Sequence, residues 1–119
     1  MARSSDYFRD GGILSERIPS FRYRPCQEGM AELVEEALDN SEHAVIEAGT
    51  GTGKSYAYIV PLLLRAKERL GKEIIATSTL PLMNQLLSAD IPAMQNALGT
   101  AFNVAALYGR SNYLCILRW

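Results

Sequence analysis

The stretch HAVIEAGTGTGKS, residues 43–55, decides the fold. Its first five residues form a short, mostly apolar run of strand length, and a glycine-rich turn with a Lys-Ser pair follows directly. A phosphate-binding loop needs this order, because inward-pointing backbone amides and a helix N-terminus together supply partial positive charge. Gly49, Gly51 and Gly53 permit a close approach that side chains would block. The stretch therefore predicts a phosphate-binding loop between a strand and a helix.

Two residues at the end of this loop are candidates for chemistry. We expect Lys54 to reach the β- and γ-phosphates of a nucleotide and the Ser55 hydroxyl to ligate Mg²⁺. The strict pattern GxxxxGK[ST] begins with glycine, whereas this chain has Ala48, outside the phosphate-facing part. A chance loop followed by a lysine is the alternative, but it leaves the register of strand, glycines and helix unexplained. The predicted phosphate contacts are Gly49, Thr50, Gly51, Thr52, Gly53, Lys54 and Ser55.

Strands and helices are predicted to alternate on both sides of the loop. Apolar residues at helical spacing, with prolines suited to first turns, predict helices at 25–40, 54–70 with a bend at Pro61, 81–87 and 92–98. Short apolar runs predict strands at 43–47, 73–78 and 103–107, and 88–92 is interpreted as a turn. Because parallel strands need crossover helices, this order predicts an α/β fold with a parallel sheet after an extended lead-in, residues 1–24.

Composition indicates one globular domain and excludes several classes of protein. The chain has 119 residues, a net charge of -1, 48% hydrophobic and 21% charged residues. It lacks the excess of Lys and Arg that a general nucleic-acid binder shows, so nucleic acid, if bound, is bound locally. No apolar run predicts a signal peptide or a membrane span, and we expect a cytoplasmic chain with no membrane partner.

A second candidate residue, Gln27, lies at the start of the first predicted helix. One glutamine amide can accept from the exocyclic amine of adenine and donate to a ring nitrogen. A glutamine in a first helical turn is more often a solvated surface residue, so the adenine interpretation depends on the resemblance described next.

Several motifs together resemble those of the superfamily 2 helicases, and the last of them resembles the iron-sulfur DNA helicases of the DinG and XPD family. They are residues 21–27, 45–55, 77–80, 84–87 and 108–115, and 12–14 is similar to the DinG branch. The resemblance implies a RecA-like P-loop NTPase fold. It also implies that 25–119 is the N-terminal part of the ATP-binding domain, an incomplete first motor domain that ends where an iron-sulfur insertion starts. Gln27 then matches the adenine motif, and Lys54 with Ser55 the triphosphate and magnesium residues.

The same resemblance assigns nucleic-acid and metal residues. Ser78 and Thr79 match a motif that contacts the phosphodiester backbone of single-stranded DNA. The alternative is that Thr79 caps the next helix, and the two roles are compatible. Cys115 matches the first of four cysteines that hold a 4Fe-4S cluster. The only other cysteine, Cys26, lies in the glutamine motif, where the resemblance implies packing.

The resemblance implies an ATP-dependent DNA helicase that uses ATP, Mg²⁺ and a 4Fe-4S cluster and acts on single-stranded or forked DNA. Hydrolysis needs a strand-borne acidic pair and an arginine finger, which we do not find in the sequence, since Asp90 lies in a predicted turn. We therefore expect an N-terminal fragment that binds nucleotide at most. The alternatives are another P-loop nucleotide-binding protein or a truncated remnant that does not hydrolyse ATP.

Overall fold

Helices carry the architecture of the computed structural model, which describes residues 3–69 and 71–118. They are α1 (Ser4–Phe8), α2 (Ile13–Arg17), α3 (Pro25–Asn40), α4 (Lys54–Arg69), α5 (Leu80–Gln85) and α6 (Ile91–Leu98). A π-helical turn (Leu86–Asp90) joins α5 to α6, and short 3-10 turns cover Arg110–Asn112 and Ile116–Arg118.

Local signals set the ends of the longer helices. Pro25 occupies the first turn of α3, where its missing N–H costs no hydrogen bond. Ser41, with φ 57°, and Gly99, with φ 62°, follow α3 and α6 in the left-handed conformation that ends many helices. The predicted helix at 25–40 is confirmed. The helix predicted at 54–70 is confirmed through Arg69, while Leu70 lies outside the described residues.

The core lies where α3 and α4 pack together and α1, α2 and α6 close around them. Its fully buried hydrophobic side chains are Phe8, Leu14, Ala31, Ala57, Ile59, Val60 and Met94. The prediction of an extended lead-in is therefore wrong, because α1 and α2 each add one of these residues. Arg17 of α2 also donates from Nη1 to the carbonyl of Ala97 at 2.6 Å, which satisfies a free carbonyl at the end of α6.

The three predicted strands do not form a sheet within residues 3–69 and 71–118. Segments 43–47, 73–78 and 103–107 lie there without strand hydrogen bonding, so the parallel sheet is not confirmed. Val45 is fully exposed, and Ile74 and Leu107 are 88% and 86% exposed. Ile75, by contrast, packs against the helical core. Alternation of exposed and buried side chains is typical of a strand. A sheet also needs hydrogen bonds between neighbouring strands, which these segments do not form within the described residues.

The connection between α5 and α6 also differs from the sequence prediction. Residues 88–92 are not an interhelix turn, because the π-helical turn continues the helical backbone into α6. Asp90 is only 7% exposed and accepts a hydrogen bond from Gln85 Nε2 at 3.1 Å. A π-helical turn brings residues five positions apart onto one side, which is the spacing of this pair.

Candidate nucleotide-binding site

The glycine-rich loop adopts a backbone that suits an anion-binding concavity. Gly51 and Gly53 have φ values of +75° and +79°, which side-chain-bearing residues rarely adopt. Thr52 Oγ1 donates to the carbonyl of Gly49 at 2.9 Å and closes the turn. Helix α4 begins immediately afterwards at Lys54, so the positive end of its dipole faces the loop.

Lys54 is exposed and bonded to its own loop. Its Nζ donates to the carbonyl of Ala48 at 2.7 Å, across the full length of the glycine-rich turn. An ammonium group has three donors, and this carbonyl uses one of them. Ser55, the second residue of α4, is half-buried beside it. The predicted phosphate contacts therefore lie in one tight turn, closed by hydrogen bonds, at the start of α4.

Gln27 is buried against this loop rather than solvated. The side chain is 3% exposed, and its Nε2 donates to the carbonyl of Gly53 at 2.8 Å. A Cβ atom added to Gly53 would overlap Gln27 Nε2 and lie 2.9 Å from its Cδ and 3.4 Å from Nη1 of Arg24. Gln27 Oε1 is buried and has no hydrogen-bond partner among the described residues. An acceptor of this kind is costly to leave unpaired, so it fits a donor on a ligand.

Ser78 and Thr79 lie exposed at the entrance to α5. Thr79 occupies the N-cap position by its backbone, but its side chain makes no capping hydrogen bond. The carbonyl of Thr79 accepts from Thr77 Oγ1 at 3.3 Å. No hydrogen bond among the described residues joins Ser78 or Thr79 to the phosphate loop, so these two hydroxyls form a separate polar surface.

The two cysteines do not form a metal site within the part of the chain that the structure describes. Cys26 and Cys115 are both exposed and free of disulfides. No group of three or more His, Cys, Asp or Glu side chains there could hold a metal ion. A 4Fe-4S cluster needs four ligands, and the described residues alone do not fit one.

Sequence reasoning missed that the α5–α6 connection influences the start of α4 electrostatically. Burial raises the pKa of the Tyr56 phenol, and the Asp90 carboxylate of the π-helical turn raises it further. Tyr56 directly follows Ser55, so the charge of Asp90 acts at the start of α4. The sequence identifies Asp90 as the nearest acidic residue after the second predicted strand. Its burial depends on the π-helical turn, which the sequence did not predict.

Two cavities of about 380 and 370 Å³ lie away from the phosphate loop. Their linings share carboxylates of α3 and do not include loop residues: Glu32, Glu35, Glu36 and Asp39 in the first, and Glu35 and Asp39 in the second. The first cavity sets four carboxylates against Arg3, and carboxylates repel phosphate oxygens, so it does not suit a nucleotide triphosphate. In the second cavity, Glu35, Asp39 and Glu68 are balanced by Arg3, Arg65 and Arg69.

Comparison with known protein families finds a family that matches most of the chain. The family described as DEAD/DEAH box helicase matches residues 24–114, a range that includes Gln27, the phosphate loop and the entrance to α5. The chain belongs to the DEAD/DEAH box helicase family. Membership implies a P-loop NTPase fold, although the described residues do not form its sheet.

Curated relatives of this helicase-family chain agree with the assignment. It is 46% identical over 114 residues to ATP-dependent DNA helicase YoaA of Escherichia coli, covering 96% of this chain and 17% of the relative. It is 43% identical over 97 residues to ATP-dependent helicase DinG of Mycobacterium tuberculosis, covering 78% and 15%. A Bacillus subtilis protein named 3'-5' exonuclease DinG is 38% identical over 106 residues, covering 89% and 11%.

The chain thus spans between 11% and 17% of the length of these relatives. No solved structure matches the chain. In residues 3–69 and 71–118, no helix is both long and apolar enough to cross a membrane.

Proposed function

We propose that this chain supplies the nucleotide-binding part of a DinG-like, ATP-dependent DNA helicase. The observation that carries the proposal is the glycine-rich turn before α4, with Lys54 bonded across it and Gln27 buried against Gly53. Family membership and the helicase names of the relatives support it. In the intact fold, segments 43–47, 73–78 and 103–107 are strands of a RecA-like parallel sheet, a proposal supported by the outward apolar side chains of each segment.

The residues of the loop fit ATP and Mg²⁺. Backbone amides from Gly49 to Gly53 and the N-terminus of α4 receive the phosphate oxygens. When nucleotide binds, Lys54 Nζ donates to a phosphate oxygen instead of the Ala48 carbonyl. The new hydrogen bond is stronger because its acceptor is charged. Mg²⁺, held by Ser55, supplies further neutralisation of phosphate charge when it is bound. Gln27 offers its unpartnered Oε1 to the exocyclic amine of adenine.

Single-stranded DNA is the proposed polymer substrate. Ser78 and Thr79 expose hydroxyls at a helix entrance, where they donate to phosphodiester oxygens without reading bases. ATP hydrolysis coupled to movement and duplex unwinding is proposed by analogy with the relatives. Cys115 is proposed as the first ligand of an iron-sulfur cluster. Since the described residues do not complete such a cluster, no step is assigned to it.

Nucleotide binding tests the proposal directly. Binding of a fluorescent ATP analogue with Mg²⁺ is measured for the unaltered chain, Lys54→Ala and Lys67→Ala. Lys67 is an exposed lysine in the last turn of the same helix, so it controls for the loss of one charge. We expect Lys54→Ala to abolish binding and Lys67→Ala to retain it. Equal affinity in all three proteins would overturn the loop assignment.

A second measurement separates a helicase from another P-loop protein. In a helicase, the binding of ATP and the binding of DNA are energetically coupled. Saturating single-stranded oligonucleotide should therefore change the affinity for the ATP analogue. A P-loop kinase or a nucleotide-binding remnant shares Lys54 and Ser55 but has no reason to respond. The matched control is a duplex of the same sequence.

A further inference from the structure

A tight turn near the end of the described chain holds two tyrosine rings together. The backbone N–H of Asn112 donates to the carbonyl of Gly109 at 2.9 Å, and the N–H of Tyr108 donates to the Tyr113 hydroxyl oxygen at 3.0 Å. The two ring centroids lie 6.4 Å apart at an interplanar angle of 72°. An edge-to-face pair leaves ring faces open, and Tyr113 is 52% exposed. The turn therefore presents an aromatic surface to solvent.

This pair of rings is tied to the helix that begins at the proposed DNA contact. The Tyr108 hydroxyl donates to Asn84 Oδ1 at 3.3 Å, and Asn84 lies in α5. Asn84 follows Thr79 by five residues, which corresponds to about 7–8 Å along a helix. The tyrosine pair is thus anchored to the same short helix that Ser78 and Thr79 precede.

The net charge of the turn that holds the two tyrosines favours a polyanion as its ligand. Of the 13 Asp and Glu residues, 12 precede residue 74, and the remaining one, Asp90, is buried. The turn itself carries Arg110 and no acid. Both tyrosine hydroxyls are already bonded within this region, so the open ring faces are what the turn offers to a ligand.

We propose that Tyr108 and Tyr113 form a stacking platform for bases of the single strand whose backbone contacts Ser78 and Thr79. Exposed aromatic rings next to backbone-binding polar groups are the usual means of holding single strands without sequence preference. Arg110 adds attraction for the phosphates from the same turn. The inference rests on the proposed function, in which the phosphates of the single strand bind at the entrance to α5. It adds a binding surface for the bases of the same strand.

Two oligonucleotides separate base stacking from phosphate binding. Fluorescence anisotropy at low salt compares a labelled oligothymidylate with an abasic strand of equal length, using the full chain. Because each stacked base adds to the affinity, we expect Tyr113→Leu to weaken oligothymidylate binding about tenfold and to leave abasic binding unchanged. Tyr113→Phe keeps the ring and should retain affinity. Tyr23→Leu alters an exposed tyrosine elsewhere, bonded to Glu28, and should have no effect on either strand.

Photocrosslinking needs no substitution and tests the same contact if a variant folds poorly. A strand carrying 5-bromodeoxyuridine should crosslink to the tryptic peptide of residues 111–118, which contains Tyr113 and neither Ser78 nor Thr79. Crosslinks confined to other peptides would overturn the platform.

The outcomes also separate the two proposals. If Tyr113→Leu leaves both affinities unchanged, or lowers both equally, the platform fails while the backbone contact stands. If the unaltered chain binds neither strand, the proposed DNA contact fails and the platform fails with it.

Discussion

The helical part of the molecule buries a core of large apolar side chains, whereas its three extended segments expose several of theirs. In the helical part, α1 to α4 and α6 bury Phe8, Ile59 and Met94 against one another within the chain. In the extended segments, 43–47, 73–78 and 103–107, Val45, Ile74 and Leu107 face solvent. Helices satisfy their backbone hydrogen bonds internally, whereas strands depend on neighbours, so only the helical part is self-sufficient here.

The difference matters because the candidate functional groups lie where one region meets the other. The phosphate loop joins segment 43–47 to α4, and Ser78 with Thr79 joins segment 73–78 to α5. The helical part holds the first of these junctions through Gln27, whose amide reaches Gly53 from α3. The helices thus give the site a fixed support before any sheet is formed.

The largest expected effect is on stability, and it is tested by one substitution in each of the two regions. Phe8→Ala removes a fully buried ring that contacts Phe21 with centroids 6.2 Å apart. We expect the free energy of unfolding to fall by about 3–5 kcal/mol in urea denaturation followed by circular dichroism. Val45→Ala, in a fully exposed position, should change it by less than about 0.5 kcal/mol. Similar losses in both variants would show that segment 43–47 is buried in solution, for instance by association of chains.

A smaller effect is expected at the junction itself. Gly53→Ala places a methyl group at φ +79° and into the amide of Gln27. Strain at such positions costs about 1–3 kcal/mol, and the overlap also displaces the glutamine, so both stability and ATP affinity should fall. Gly51→Ala is the matched control, because φ is +75° but nothing lies within 4 Å of the added carbon. Equal losses in the two variants would mean that contact with Gln27 adds nothing.

The helical part was largely predictable because its signals are local. Prolines in first turns and a glycine after the last turn marked α3 and α6. The five-residue helices α1 and α2 were missed, because so short a helix has too few residues to show a period, and their stability comes from burying Phe8 and Leu14. Apolar runs marked the extended segments, but pairing is a non-local property that such runs do not encode.

The candidate site was predictable in its loop and less so in its contacts. The alternating glycines before Lys-Ser permit unusual backbone conformations, and Gly51 and Gly53 adopt positive φ values. The contact between Gln27 and Gly53 joins residues 26 positions apart, so spacing alone could not reveal it. The resemblance pointed to Gln27, while its burial and its second role at the loop came from the packing of α3.

Gln27→Ala distinguishes adenine recognition from support of the loop. Loss of one hydrogen bond to adenine should weaken ATP about tenfold. Inorganic triphosphate lacks the base, so its affinity should fall less, by the amount that the lost bond to Gly53 contributes. Isothermal titration calorimetry measures both ligands, with Cys26→Ala as an exposed control in the same helical turn. Equal losses for ATP and triphosphate would remove the adenine role and leave the loop contact.

The smallest effect is a pH dependence at the boundary between the two regions. Burial, assisted by the Asp90 carboxylate, raises the pKa of Tyr56 above its ordinary value of 10.0 in the folded chain. Above pH 10 the unfolded chain releases a phenol proton that the folded chain retains, so this contribution is complete below pH 10 and is lost as pH rises through the folded pKa. Denaturation at several pH values should therefore show a shallower alkaline loss of stability in Tyr56→Phe than in the unaltered chain. Identical alkaline slopes would mean that the phenol is as well solvated in the folded chain as in the unfolded one, and that α4 and the π-helical turn are not packed closely at this point.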